Sequence, residues 1–151
     1  GLVGSEMCIR DSTREDIVSE IFSQLKSMNS PKLGKIVRDP IVAEDLPKTA
    51  FPAVYIETTD EDIEDITINT KQLRMGLMDV DIVAIIGGNN RDKQRNIIVE
   101  GIENALLADR TVNNKATHIA LTRVESVEVG QSAPYASVRM VFTVKRHYTI
   151  T

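Results

Sequence analysis

An alternating strand that breaks at two glycines and resumes as an amphipathic helix occupies Met78 to Asp109, and it restricts the possible folds more than any other stretch. Val80, Ile82, Ala84 and Ile86 share one face of the strand, with Asp79 and Asp81 on the other. Gly87-Gly88-Asn89-Asn90 stops the alternation, and Ile97, Ile98, Ile102, Ala105 and Leu106 then recur at helical spacing. A period of two giving way to a period near 3.6 requires a sheet strand followed by a helix laid against the sheet.

A strand, glycines and a helix also suggest a phosphate-binding loop, but the spacing rejects it. A Walker loop needs a Gly-Lys-Ser/Thr tail, so that amides, lysine and hydroxyl converge on the phosphates. Here the sequence is GGNNRDKQ, without that tail and without a third glycine in dinucleotide-binding register. Asp92 already places a carboxylate in the first helical turn, where it complements the helix dipole. Asn90 is the expected N-cap.

Residues 1–12, GLVGSEMCIRDS, resemble word for word a translated sequencing-adapter artefact and are expected to lie outside the fold. They do not read as a secretory signal, because Glu6, Arg10 and Asp11 interrupt a segment that lacks a basic start and an apolar run. Setting them aside removes Cys8, the single cysteine, and with it any disulfide, thiolate ligand or cysteine nucleophile. The remaining residues, 13–151, suit one domain with one core. The whole chain carries 18 Lys and Arg against 22 Asp and Glu; without the leader's Arg10, Glu6 and Asp11 the balance is 17 against 20, a net charge of −3. A generic nucleic-acid binder would show a basic excess. Tryptophan is absent and only three Phe and three Tyr occur, too few for a base-stacking platform. No apolar run approaches the ~20 residues of a membrane-spanning helix.

The periodicity predicts a first helix over Thr13–Asn29, with Ile17, Ile21, Leu25 and Met28 as its stripe, widened by Val18 and Phe22. Thr13 with Asp16 forms its capping box in preference to Ser12 with Glu15. A short strand is expected at Lys35–Arg38, then an irregular connection with Pro40, Pro47 and Pro52. Ala53–Thr58 reads as a strand leading into an acidic turn, Asp60 to Asp65. Alternation resumes over Thr67–Gly87, and its parity changes between Leu77 and Met78, which predicts a β-bulge near Gly76 to Met78. After the second helix come a polar turn at Asp109–Thr117, a strand at His118–Val129 with Ile119 and Leu121 on one side, a loop at Gly130–Pro134 and a strand at Tyr135–Tyr148. In that last strand Ala136, Val138, Met140, Phe142 and Val144 oppose Ser137, Arg139, Thr143 and Lys145. Adjacent strand pairs with few helices favour α+β over a doubly wound fold. The expected architecture is a single domain whose mostly antiparallel or mixed sheet, of roughly four to six strands, is covered on one face by two helices.

This layout resembles the tail terminator family of long-tailed bacteriophages (minor tail protein U-like, tail completion). The likeness spans Thr13 to Thr149. It rests on the N-terminal helix, KIVRDP and its proline-punctuated loop, FPAVYIET with the acidic turn, LRMGLMDVDIVAII, RDKQRNIIVEGIENALLAD and the closing VFTVKRHYT. It is a match of order and texture, weakest over Asp39–Thr49. The resemblance implies a virion component without catalytic activity or cofactor, assembled in the host cytoplasm. Such a protein forms a homo-hexameric ring on the head-proximal end of the tail tube and ends tube growth there. Its partners would be the major tail tube protein and a head–tail connector or neck protein, with DNA only passing through the ring and no membrane involved. A neck or head-closure protein of the same virion region is the alternative within that class.

A ring needs one surface of a subunit to meet a different surface of its neighbour. The candidate surfaces are the acidic Asp60, Glu61, Asp62, Glu64 and Asp65 and the basic Arg91, Lys93 and Arg95. Arg139, Lys145 and Arg146, with Lys115 and Arg123, are expected on the outer face of the last two strands, where ordinary surface charge is the plainer reading and a contact with an acidic tube surface or passing DNA the functional one.

An alternative from another class is a small metal-dependent nucleic-acid-processing enzyme using Asp79, Asp81 and the acidic stretch. The acidic stretch lacks the D-x-D-x-D-G layout of a calcium loop. His118 and His147 have no carboxylate or cysteine at ligand spacing, and Ser126, Ser132 and Ser137 lack a nucleophile elbow.

Overall fold

The computed structural model describes residues 12–66, 72–127 and 135–150. The expected leader, apart from Ser12, and the loop at Gly130–Pro134 lie outside the described residues, as does the start of the strand expected from Thr67. Five strands, β1 (Lys35–Val37), β2 (Ala53–Asp65), β3 (Gln72–Gly87), β4 (His118–Val127) and β5 (Tyr135–Ile150), form one sheet in the order β1-β2-β3-β5-β4. β1 pairs with β2 in parallel and every other pairing is antiparallel, so the sheet is mixed. Two helices, α1 (Arg14–Lys26) and α2 (Arg91–Leu107), complete an α+β domain.

α1 starts where its capping chemistry dictates. The Thr13 hydroxyl accepts from the Asp16 amide at 3.1 Å, and the Asp16 carboxylate accepts from the Thr13 amide at 3.1 Å. Its stripe of Ile17, Val18, Ile21 and Leu25, with Met28 just beyond, is buried. The stripe joins Val54, Ile56, Met78, Val80, Ile82, Ala84 and Ile86 from β2 and β3, and Val138, Met140, Phe142 and Val144 from β5, in one core. Ile98, Ile102 and Leu106 of α2 and Ile119 of β4 close it. Both helices therefore cover the same face.

Three local expectations are corrected. The acidic stretch is not a turn: β2 runs through to Asp65, paired with Arg74. Carboxylates disfavour strands locally, but cross-strand hydrogen bonding to β3 overrides that preference here. The bulge lies in β2, between Thr58 and Glu61, and not in β3, whose register with β5 is unbroken from Gln72↔Ile150 to Gly87↔Tyr135. The parity change in β3 instead reflects a change of burial. Leu73, Met75 and Leu77 stand on the helix-free face, and Leu77 is 38% exposed. Asn90 precedes α2 but makes no side-chain cap; it adopts left-handed backbone at φ 56, and Gln94 instead donates from Nε2 to the Asn89 carbonyl at 2.8 Å.

Candidate subunit interface

The candidate charged surfaces sit at opposite ends of β3. The acidic residues of β2 flank its first half, while α2 begins just beyond its last residue, Gly87. The acidic residues from Glu61 to Asp65 pair with Met78 to Arg74, and the rest of β3 to Gly87, at ~3.3 Å per residue, sets about 30–43 Å of strand between the two surfaces. β1 reaches only as far as Tyr55, so β2 is the edge of the sheet from Ile56 onward, and its acidic portion forms one side of a projecting arm with β3 and β5.

The root of this arm is fastened to the body. Arg146 donates from Nε and Nη2 to the two carboxylate oxygens of Glu61 at 2.7 and 3.1 Å. Its Nη1 donates to the Ser12 carbonyl at 3.4 Å, and its guanidinium lies 4.1 Å from the Tyr148 ring centroid. Arg14 adds a contact at 3.8 Å to Glu61 and donates to the Thr59 carbonyl at 3.4 Å. The Glu61 side chain is 5% exposed. Glu61 therefore spends its charge within the subunit, and Arg146 lies on the helix side of the sheet instead of the outer face expected for it. The outer-face expectation failed because Arg146 falls in step with Val144 and Phe142 in the alternation of β5.

Beyond the root, Asp60, Asp62 and Glu64 are exposed and, among the described residues, form no ion pair; Asp65 is exposed but not unpartnered. At the other end Lys93 is exposed and likewise unpaired among the described residues, and Arg91 has a partner. Arg95 is only 17% exposed and pairs with Asp92 at 3.3 Å, so its charge is largely committed.

On the helix-free face, Arg139 donates to Asp81 at 2.6 Å, Thr143 donates to Asp79 at 3.1 Å, and Thr59 reaches Asp81 at 3.4 Å. Burial works against the Arg139 charge, but the hydrogen bond and negative charge of Asp81 outweigh it and raise its pKa. Burial, followed by the charge of Glu57, raises the Tyr55 hydroxyl beside this pair. Asp81 is buried, and Asp79 is half-buried. Among the described residues no three His, Cys, Asp or Glu side chains converge as metal ligands. Lys145 is half-buried on the same face, with His118 across from it on β4. Lys115 and Arg123 are engaged with Glu20 at 3.9 Å and Glu125 at 2.7 Å. His147 Nδ1 lies 2.7 Å from the Thr117 hydroxyl.

Two residues escaped the sequence reading. Ile63, at the centre of the acidic stretch, is 52% exposed, and Ile97, placed above in the apolar stripe, is 46% exposed. The signal for Ile97 lay in the spacing, because Ile98, Ile102 and Leu106 already form a complete i, i+4 row that Ile97 precedes by one residue.

No protein-family model and no curated protein matches the sequence. Among solved structures, a chain from the virion of a native gene transfer agent particle is similar at 12% identity and TM-score 0.51, covering 83% of this chain and 90% of that one. The type 4 fimbrial biogenesis protein PilO from Pseudomonas aeruginosa covers 91% of this chain and 69% of its own at 10% identity, with a TM-score of 0.35, too low to carry an argument. The virion likeness is one of fold. Among the described residues, no helix is long and apolar enough to cross a membrane.

Proposed function

We propose that this chain is a structural subunit of a phage-like virion, and within it a tail terminator. In this reading it forms a closed ring of roughly six copies on the head-proximal end of the tail tube. The ring ends tube growth and offers its far surface to a connector or neck protein. The likeness of fold to a chain of a gene transfer agent virion, over 83% of this chain and 90% of that one, is the observation that carries the reading. The order of elements that the sequence shares with the tail terminator family supports the finer assignment. So does the placement of opposite charges at the two ends of one sheet, since a ring needs two unlike surfaces on each subunit.

The test is negative-stain imaging and native mass spectrometry of the 151-residue chain, alone and with tubes polymerised from a major tail protein. Closed rings capping one end of each tube, with elongation arrested, are the expected result. A protein that stays monomeric at every concentration and leaves tube growth unchanged would overturn the proposal.

A further inference from the structure

Ile63 stands on β2 where, among the described residues, no strand pairs with its outer edge. It projects on the helix side, opposite Gly76, while Asp62 and Glu64, opposite Leu77 and Met75, project on the other, so the three side chains straddle that edge. Ile97 lies on α2 one turn after Lys93. Each end of the sheet thus presents an exposed large apolar residue near charge that forms no ion pair among the described residues, negative at one end and positive at the other. An apolar contact ringed by charges of opposite sign is the composition of a specific protein interface. Gly76, opposite Ile63, precedes the end of β3 at Gly87 by about 36 Å of strand, so the two halves do not meet within a subunit. They are unlike, so each finds its complement on the other surface of a second copy.

We infer that the β2 edge of one copy docks on the first two turns of α2 of the next copy, setting Ile63 against Ile97 and Asp62 and Glu64 against Lys93. This rests on the ring assignment and specifies which surfaces make the ring. The occupant of each surface is a second copy of this chain, because the chain itself carries both complementary halves. The bidentate Glu61–Arg146 pair holds the arm root, so little orientational freedom is lost when the tip docks.

The experiment is a charge exchange split between two full-length chains. Asp62→Lys with Glu64→Lys reverses the edge, and Lys93→Glu reverses the helix. Each variant alone places like charges together, and its assembly midpoint in analytical ultracentrifugation should rise by at least about tenfold. Mixed at equal concentration, each reversed surface finds a complementary one and rings return, alternating between the two chains and therefore containing an even number of copies. Unchanged thermal melts of the separate variants exclude misfolding. Rings formed by either variant at the wild-type midpoint would overturn the inference and leave the terminator reading intact, as would two defective variants that fail to rescue each other. A wild-type chain that never self-associates overturns both. Ile63→Ser provides a check independent of charge: it should weaken assembly in wild type and in the rescued mixture alike.

Discussion

Arg146 closes its bidentate pair on Glu61 over the backbone of Gly76, which is opposite Arg146 in one strand pairing and opposite Ile63 in the other. A Cβ at Gly76 would collide with the Glu61 carboxylate, so the missing side chain is what lets the two charges meet. With the side chains 9% and 5% exposed, neither charge has bulk water to fall back on.

Removing one partner should therefore cost more than removing both. Glu61→Ala strands a buried guanidinium and is expected to lower unfolding free energy by about 3–5 kcal/mol, while Glu61→Met with Arg146→Met should lose much less. Urea denaturation of the single and double variants measures the difference. Equal losses would mean that the pair contributes nothing beyond packing.

Gly101 sets helix propensity against packing. Alanine in mid-helix is normally favoured by about 1 kcal/mol. Yet a Cβ here would stand 2.5 Å from Pro31 Cδ and 2.7 Å from the Ser30 carbonyl oxygen, where α2 meets the chain leaving α1. Overpacking of that kind costs about 1–3 kcal/mol, so Gly101→Ala should lower the melting temperature. A raised melting temperature would show that propensity wins.

Glu15 reports on how β1 is tied to α1. The Arg38 guanidinium donates to both its carboxylate oxygens at 2.7 and 3.0 Å, Ser19 adds a third bond, and its pKa falls from 4.5 to about 2. A folded pKa below the unfolded one stabilises the protein above pH 4.5, and the contribution disappears as pH falls towards about 2. Both side chains are well exposed, so the effect on stability is small and screened by salt. The sharper readout is the Glu15 carboxyl titration by NMR, which Arg38→Gln should move back towards 4.5. An unmoved titration would dissociate Arg38 from the shift.

Asp109 organises the turn after α2. It accepts from the Thr111 amide at 2.9 Å, the Thr111 hydroxyl at 2.6 Å and the Asn113 amide at 3.0 Å. These bonds, the Thr111 hydroxyl foremost, also hold its carboxyl below the usual range. Val112, Asn113 and Asn114 follow with φ of 50, 53 and 63, and Val112 is plugged into the core at 1% exposure. A β-branched residue is strained at positive φ, so the turn depends on its hydrogen bonds. Asp109→Ala should cost about 1–2 kcal/mol and speed amide exchange at Lys115 and Ala116, whose amides bond back to Thr111. Unaltered exchange there would locate the constraint elsewhere.

What could be read from sequence followed from strong local signals. The Ile17–Ile21–Leu25 stripe, the Thr13–Asp16 box and the alternation of β5 each carry their own period or capping chemistry, and the folded chain agrees with all three. The errors came where a neighbour decides. The acidic residues became a strand because β3 supplies partners, and the bulge appeared in β2 because β3 is held straight by β5. The alternation of β5 itself puts Arg146 on the face of Val144, against the outer-face expectation; what nothing local reveals is its partner, Glu61, 85 residues away. Of the candidate interface, charge signs were legible, but not which charges remain unspent after folding.

The strand order has a consequence in time. β5 lies between β3 and β4, paired with β3 along its length and with β4 over Ser137–Lys145, yet it comes last of the five strands in sequence. Until residues 135–150 arrive, β3 and β4 have no common neighbour and the core lacks Val138, Met140, Phe142 and Val144. Such distant pairing makes closure of the sheet a late and slow event. The arm is part of the same event, because Arg146 lies on β5 and must reach Glu61 to fix it. A chain lacking β5 therefore cannot display the anchored arm, and the edge proposed to dock on a second copy forms only once the domain has folded.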